Sequence, residues 1–255
     1  MAGIRTVALI ERKPDITRDL FTRYWRDVHG VMAARIPGFA RYTQYHVTPV
    51  KGREKGKNFE GIALVSFASE EDRAGLGNSA VTRHIHRDEQ NVFRRALLYN
   101  LADGAYTGDK GADRRSVVIE SFYLIPAGCD PTQVQEIVQS AGCNFCDIYD
   151  LRSGDPSAWN ETDATDGGEG ETFIALLHAG WQDSFVRDAV DKSIEARIGI
   201  YTVDEVHIMV DGGYPTPVGL RGLDVVRTIM EAGADNQLAA AVVKDIYGTK
   251  LVPPE

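Results

Sequence analysis

The feature that most constrains this chain is an order of elements that occurs twice. Apolar alternation over residues 4–10 predicts a strand, and Pro14-Asp15-Ile16-Thr17 gives a turn with Thr17 as helix N-cap. A helix from there to about residue 35 follows from Leu20, Phe21, Tyr24, Trp25, Val28 and Met32, spaced as one apolar stripe and stopped by Pro37-Gly38. Strands at 39–47 and 61–67, a helical region from Ser69 toward Phe93 and a strand at 96–106 complete the first half. The order then returns as strand 116–124, helix 131–139, strands 144–151 and 172–177, helix 184–195 and strand 200–210.

Each half therefore reads β-α-β-β-α-β, the ferredoxin-like order, in which two helices cover one face of a four-stranded antiparallel sheet. The bare face of each sheet must also be buried, and two halves in one chain achieve this by facing their sheets together. The expectation is an α+β fold: tandem ferredoxin-like repeats forming an intramolecular pseudo-twofold barrel, followed by a helical C-terminal tail. Its parts are residues 1–110, 111–210 and 211–255, with the linker near 107–114, where Gly, Asp and Lys dominate. The tail offers short amphipathic helices near 222–231 and 236–247, placed to cap a barrel end or to meet a neighbouring subunit. Residues 152–171, rich in Gly, Asp, Glu, Ser and Thr, read as a long surface loop whose acidity serves solvation and not metal binding.

A net charge of −9 and a pI near 5.2 disfavour nucleic acid as partner, because binding it needs a field that replaces phosphate counterions. The absence of a long apolar run argues against a membrane, and three cysteines against a secreted disulfide framework, so the expected setting is the cytoplasm. Cys143-Asn144-Phe145-Cys146 begins a predicted strand, which lacks the helix N-terminus that activates a redox pair, and Cys129 alone cannot complete a zinc site; all three read as buried structural thiols. No Gly-x-Ser-x-Gly, Walker or His-Glu-x-x-His motif occurs.

The run Phe21-Thr22-Arg23-Tyr24-Trp25-Arg26-Asp27-Val28-His29-Gly30, followed by Ile36-Pro37-Gly38-Phe39 and Arg41-Tyr42-Thr43-Gln44, resembles the EthD-domain family of the dimeric α+β barrel superfamily. The likeness spans the first half. The second half shares only element order, with Val134-Gln135-Glu136-Ile137-Val138 where the motif would stand. The resemblance implies a small-molecule pocket between the helices and the outer face of the sheet, with proton-transfer roles falling on His29 and Tyr42. It also implies one site per chain, the second half being mainly architectural.

The residues are consistent with this when taken by themselves. At about 100° per residue His29 lies on the edge of the stripe, facing the helix–sheet seam. Strand alternation puts Tyr42, Gln44 and His46 on one face. An imidazole, with an ordinary pKa of about 6.5, both accepts and donates protons near neutral pH. Tyr42 would stabilise an enolate or phenolate by hydrogen bonding. The binding walls would be Tyr24, Trp25, Phe39, Gln44, His46 and His84. On a helix His84 and His86 point about 200° apart, so the two cannot share a metal, and nothing beside them marks a haem ligand. His178 and His207 read as structural, Glu205 sharing a face with His207.

The expected protein is a cofactor-independent lyase or isomerase working by histidine acid/base chemistry on a small, partly apolar aromatic or cyclic catabolic intermediate. A cofactor-free, quinone-forming monooxygenase and a non-catalytic binding or stability protein are the alternatives. No metal or cofactor is expected, and a homodimer is allowed but not required, since a duplicated barrel closes without a second chain.

Overall fold

The computed structural model describes residues 4–50, 59–109, 113–153, 165–166, 173–194 and 196–239. The first half runs β1 (Ile4–Arg12), α1 (Arg18–Tyr24), a π turn (Trp25–His29), α2 (Gly30–Ala33), β2 (Phe39–Pro49), β3 (Phe59–Phe67), α3 (Glu70–Ala74), α4 (Ala80–Val92) and β4 (Phe93–Leu101). After the short β5 (Tyr106–Thr107), the second half runs β6 (Ile119–Pro126), α5 (Pro131–Ser140), β7 (Phe145–Asp150), the short β8 (Thr165–Asp166), β9 (Phe173–Trp181), α6 (Ser184–Ser193) and β10 (Gly199–Asp211). The tail adds β11 (Tyr214–Pro215), α7 (Pro217–Arg221) and α8 (Leu223–Glu231).

Helix starts follow local chemistry. Thr17 accepts from the Leu20 N–H, Ser79 from Val81 and Thr82, Asp130 from Thr132 with Pro131 in the first turn, and Asp183 from Phe185. Strand order β4-β1-β3-β2 in the first half matches β10-β6-β9-β7 in the second. The halves join through antiparallel pairing of β2 with β10, which carries one sheet across the molecule. At the opposite seam, among the described residues, β4 and β7 do not pair; β5 lies on β7, and β8 runs parallel to β4. The result is a nearly closed barrel.

Alternation sorts the side chains into three cores. Val7, Leu9, Val47, Ile62, Phe122 and Leu176 fill the barrel interior. Phe21, Trp25, Phe39, Ile85 and Phe93 lie between the first-half helices and the outer face of their sheet, and Tyr123, Val134, Val138, Trp181 and Val190 do so in the second half.

The element order agrees with the sequence reading, but several local expectations need correction. The single helix expected to residue 35 carries the π turn, and Leu20 and Val28, counted in its apolar stripe, are exposed at 41% and 43%. The region from Ser69 is two helices separated by a 3-10 turn (Gly75–Asn78). β4 begins at Phe93, straight after α4, because Arg94 and Arg95 pair with the buried Glu11 and so belong to the sheet. Of the tail, expected to cap a barrel end or to meet a neighbouring subunit, α7 packs against β10 and α2, and α8 against the π turn. The second expected tail helix shows one 3-10 turn (Asp235–Leu238), the rest of 236–247 lying outside the described residues. The basic loop at 51–57 and most of the acidic loop at 152–171 also lie outside them.

Candidate active site

In the π turn the Gly30 N–H donates to the Trp25 carbonyl, five residues back. This wider turn buries Trp25, Arg26 and His29 while it rotates Val28 into solvent. Two glycines let the segment lie close on the sheet. A Cβ at Gly30 would sit 2.7 Å from Gln44 Nε2, and one at Gly61 2.7 Å from the Trp25 ring. Gln44 Nε2 donates to the Trp25 carbonyl at 2.9 Å and to the Tyr42 hydroxyl at 2.8 Å, tying the turn to β2.

His29 is 6% exposed, and its Nδ1 lies 3.0 Å from Asp88 Oδ2 on α4. The Tyr24 hydroxyl donates to the other Asp88 oxygen at 2.5 Å, and the Asn91 amide reaches the same oxygen at 3.3 Å. Burial alone would raise the Asp88 pKa, but hydrogen bonds from His29 and Tyr24 outweigh it and hold the carboxyl below its ordinary range. An ionised Asp88 fixes the proton on Nδ1 and leaves Nε2 of His29 for the pocket. Burial also raises the Tyr42 pKa well above its ordinary value, so the phenol remains protonated. Its oxygen accepts from Gln44, which leaves its O–H to donate.

Beside His29 is a cavity of about 60 Å³ between the helices and the sheet. Trp25, Ile36, Phe39, Ile85 and Phe93 supply apolar walls, and the small Ala8, Ala33, Ala63 and Ala96 make the space. Polar groups are few: His29, Tyr42, Glu89 and Thr6.

Of the expected site residues, His29, Tyr42, Trp25 and Phe39 line this cavity. Tyr24 and Gln44 stand behind it, holding Asp88 and Tyr42. His46 is buried on the far side of Trp25, ring centroids 4.6 Å apart, near His207; burial lowers its pKa to about 3, so it is neutral. His84 is exposed on α4 and contributes nothing to the cavity. Asp88 and Glu89 were missed. Both belong to the polar run around His84 and His86, and their signal was helical spacing: Ile85, Asp88, Glu89 and Val92 share one buried face.

The other sequence-marked groups lie outside this cavity. Burial raises the thiols of Cys143 and Cys146 to about 11 and about 12. His178 contacts Glu120 at 2.6 Å and His207 contacts Glu205 at 2.9 Å. Among the described residues no group of three or more His, Cys, Asp or Glu is placed to hold a metal ion, and no helix is long and apolar enough to cross a membrane.

The EthD domain family model matches the stretch from 13 to 95, which holds the π turn, β2, β3 and α4. The matched stretch supplies every cavity residue named above except Thr6 and Ala8 on β1 and Ala96, one residue past its end. No curated protein matches the chain significantly. Among solved structures, the chain is similar to an anthrone oxidase-like protein, with 11% identity, a TM-score of 0.49 and coverage of 82% of this chain and 94% of that one. A candidate monooxygenase from Lactobacillus acidophilus NCFM has 9% identity, a TM-score of 0.43 and coverage of 83% and 98%.

Proposed function

We propose that the EthD-domain cavity is the active site of a small-molecule enzyme, with His29 as general base and acid and Tyr42 as hydrogen-bond donor. In this reading residues 1–110 carry the chemistry, residues 111–210 complete the barrel, and the tail from 211 braces the π turn. The observation that supports it best is the aligned set Tyr24, Asp88 and His29, which orients one imidazole toward an apolar cavity. Nε2 takes a proton from an acidic carbon or a phenol, and Tyr42 stabilises the oxyanion that develops. Returning the proton to another atom of the substrate gives isomerisation; losing a leaving group or carbon dioxide gives a lyase. Neither outcome draws on a cofactor.

The apolar walls select a compact, partly apolar ring. A cavity of about 60 Å³ is smaller than the roughly 150 Å³ that takes a benzene ring, so a ring enters only as the helix layer moves outward. The same walls favour a second reading, because dioxygen partitions into apolar space and would meet a substrate anion made by His29. Dioxygen would then oxidise a phenol to a quinone, with water as the second product.

The test is turnover of ring-containing catabolic intermediates by the wild type and by His29→Ala. Loss of turnover with the fold intact supports the reading. Unchanged turnover of the true substrate sinks it, and ligand-dependent thermal stabilisation without any product assigns a binding protein instead. Dependence on oxygen separates the monooxygenase from the lyase or isomerase.

A further inference from the structure

The barrel interior is apolar along most of its length and turns polar at one end. A second cavity lies there, about 310 Å³, with walls from both halves: Arg5 on β1, Arg41 and Tyr45 on β2, Tyr106 on β5, and Tyr149 on β7. It occupies the opposite face of the sheet from the EthD-domain cavity, and Arg114, Asp147 and His178, the last paired with Glu120, add to its polar lining.

These charges are not balanced within the cavity. Asp147 is saturated, since Arg114 binds both its oxygens at 2.7 and 2.8 Å and the Asp109 N–H donates to it at 3.1 Å. Arg41 reaches Asp211 at 3.3 Å, but both side chains are more than half exposed and the pair is screened. Arg5 has no carboxylate partner among the described residues. Its guanidinium stacks 3.7 Å above the Tyr106 ring, and its Nε is buried without a hydrogen-bond partner. A guanidinium held in a cavity without a counterion is unusual, because its desolvation is not offset.

We propose that this barrel mouth binds a small aromatic carboxylate, with Arg5 receiving the carboxylate and the tyrosines packing around the ring. A planar guanidinium edge matches two carboxylate oxygens, and stacking on Tyr106 holds that plane fixed. The rings of Tyr45 and Tyr149 offer faces to an aromatic ligand. Burial raises the pKa of Tyr45, Tyr106 and Tyr149, which keeps their hydroxyls as neutral donors beside an anion. Because both sheets supply walls, the site exists only where the two halves are joined.

The experiment is calorimetric titration of the full-length protein with benzoate at fixed ionic strength, with inorganic phosphate in a parallel arm. Saturable benzoate binding is expected, weakened at least tenfold by Arg5→Gln, partly restored by Arg5→Lys and unchanged by His29→Ala. Ser66→Phe, which fills the mouth from β3 between its cross-strand neighbours Arg5 and Arg41 without removing a charge, should also block binding, so the result stands even if Arg5→Gln fails to fold. Binding lost in His29→Ala but kept in Arg5→Gln would place benzoate in the EthD-domain cavity and overturn the proposal. So would phosphate binding as tightly as benzoate, or no saturable binding of benzoate at all.

Discussion

The two halves share a topology, yet they use the space between helices and sheet in opposite ways. On β1 the outward residues are Thr6, Ala8 and Ile10; on β6 the matching positions hold Ser121, Tyr123 and Ile125. Ala8 opens the EthD-domain cavity, whereas Tyr123 fills the equivalent volume and donates its hydroxyl to Asp191 on α6 at 3.0 Å. Asp191 is further held by Arg187 at 3.5 Å, while Asp88 in the first half holds a histidine. One fold thus supports either a reactive cavity or a solid core, depending on a few side-chain volumes and on what the helix aspartate faces.

The largest expected effect comes from removing the orienting charge. Asp88→Asn should lower kcat by about 10³-fold while secondary structure persists, because a neutral amide no longer fixes the Nδ1-protonated tautomer. Steady-state kinetics with circular dichroism checks this, and full activity would break the claim that Asp88 orients His29. Exchanging the paired positions sharpens the contrast. Tyr123→Ala should cost about 3 kcal/mol of stability, from the cavity it leaves and the partner it takes from Asp191. Ala8→Tyr should instead fill the EthD-domain cavity and abolish turnover, and denaturant unfolding and kinetics would separate these two outcomes.

A smaller effect tests the join between the halves. His46 on β2 stands opposite Glu205 on β10, and its pKa is lowered to about 3 by burial, with the charges of His207 and Arg26 adding to it. The unfolded chain binds a proton there below an ordinary value of about 6.5, while the folded chain does not. Stability should therefore fall as pH drops from about 6.5 toward 3, by about 3 kcal/mol at pH 4.5. His46→Phe should reduce that slope in pH-dependent melting, leaving the part due to His207, whose pKa burial also lowers, and the separate loss below about pH 4 that comes from protonating Asp88.

Much of this was legible in the sequence, because alternation and stripe spacing are local. They placed the strands, put Tyr42 and Gln44 on one face, and set His29 at the seam. The π turn was not legible, since it depends on Gly30 and Gly61 meeting groups that are distant in sequence. Asp88 and Glu89 were hidden for a related reason: a polar run on a helix reads as a solvated face until a partner such as His29 is known to lie opposite. Arg5 alternates correctly with Val7 and Leu9, but sequence alone could not show that no carboxylate among the described residues pairs with it.

The smallest effect distinguishes general stability from support of the site. Ser79 caps α4, which carries Asp88 and Glu89, and Asp183 caps α6, which carries Asp191. Each cap satisfies backbone N–H groups at a helix start, so Ser79→Ala and Asp183→Ala should each cost about 1 kcal/mol, read as similar falls in Tm. Only Ser79→Ala should also change kcat/KM, by roughly 2-fold to 5-fold, because fraying α4 loosens Asp88 against His29. If both variants changed turnover equally, the second half would be taking part in the chemistry and the division of labour between the halves would fail.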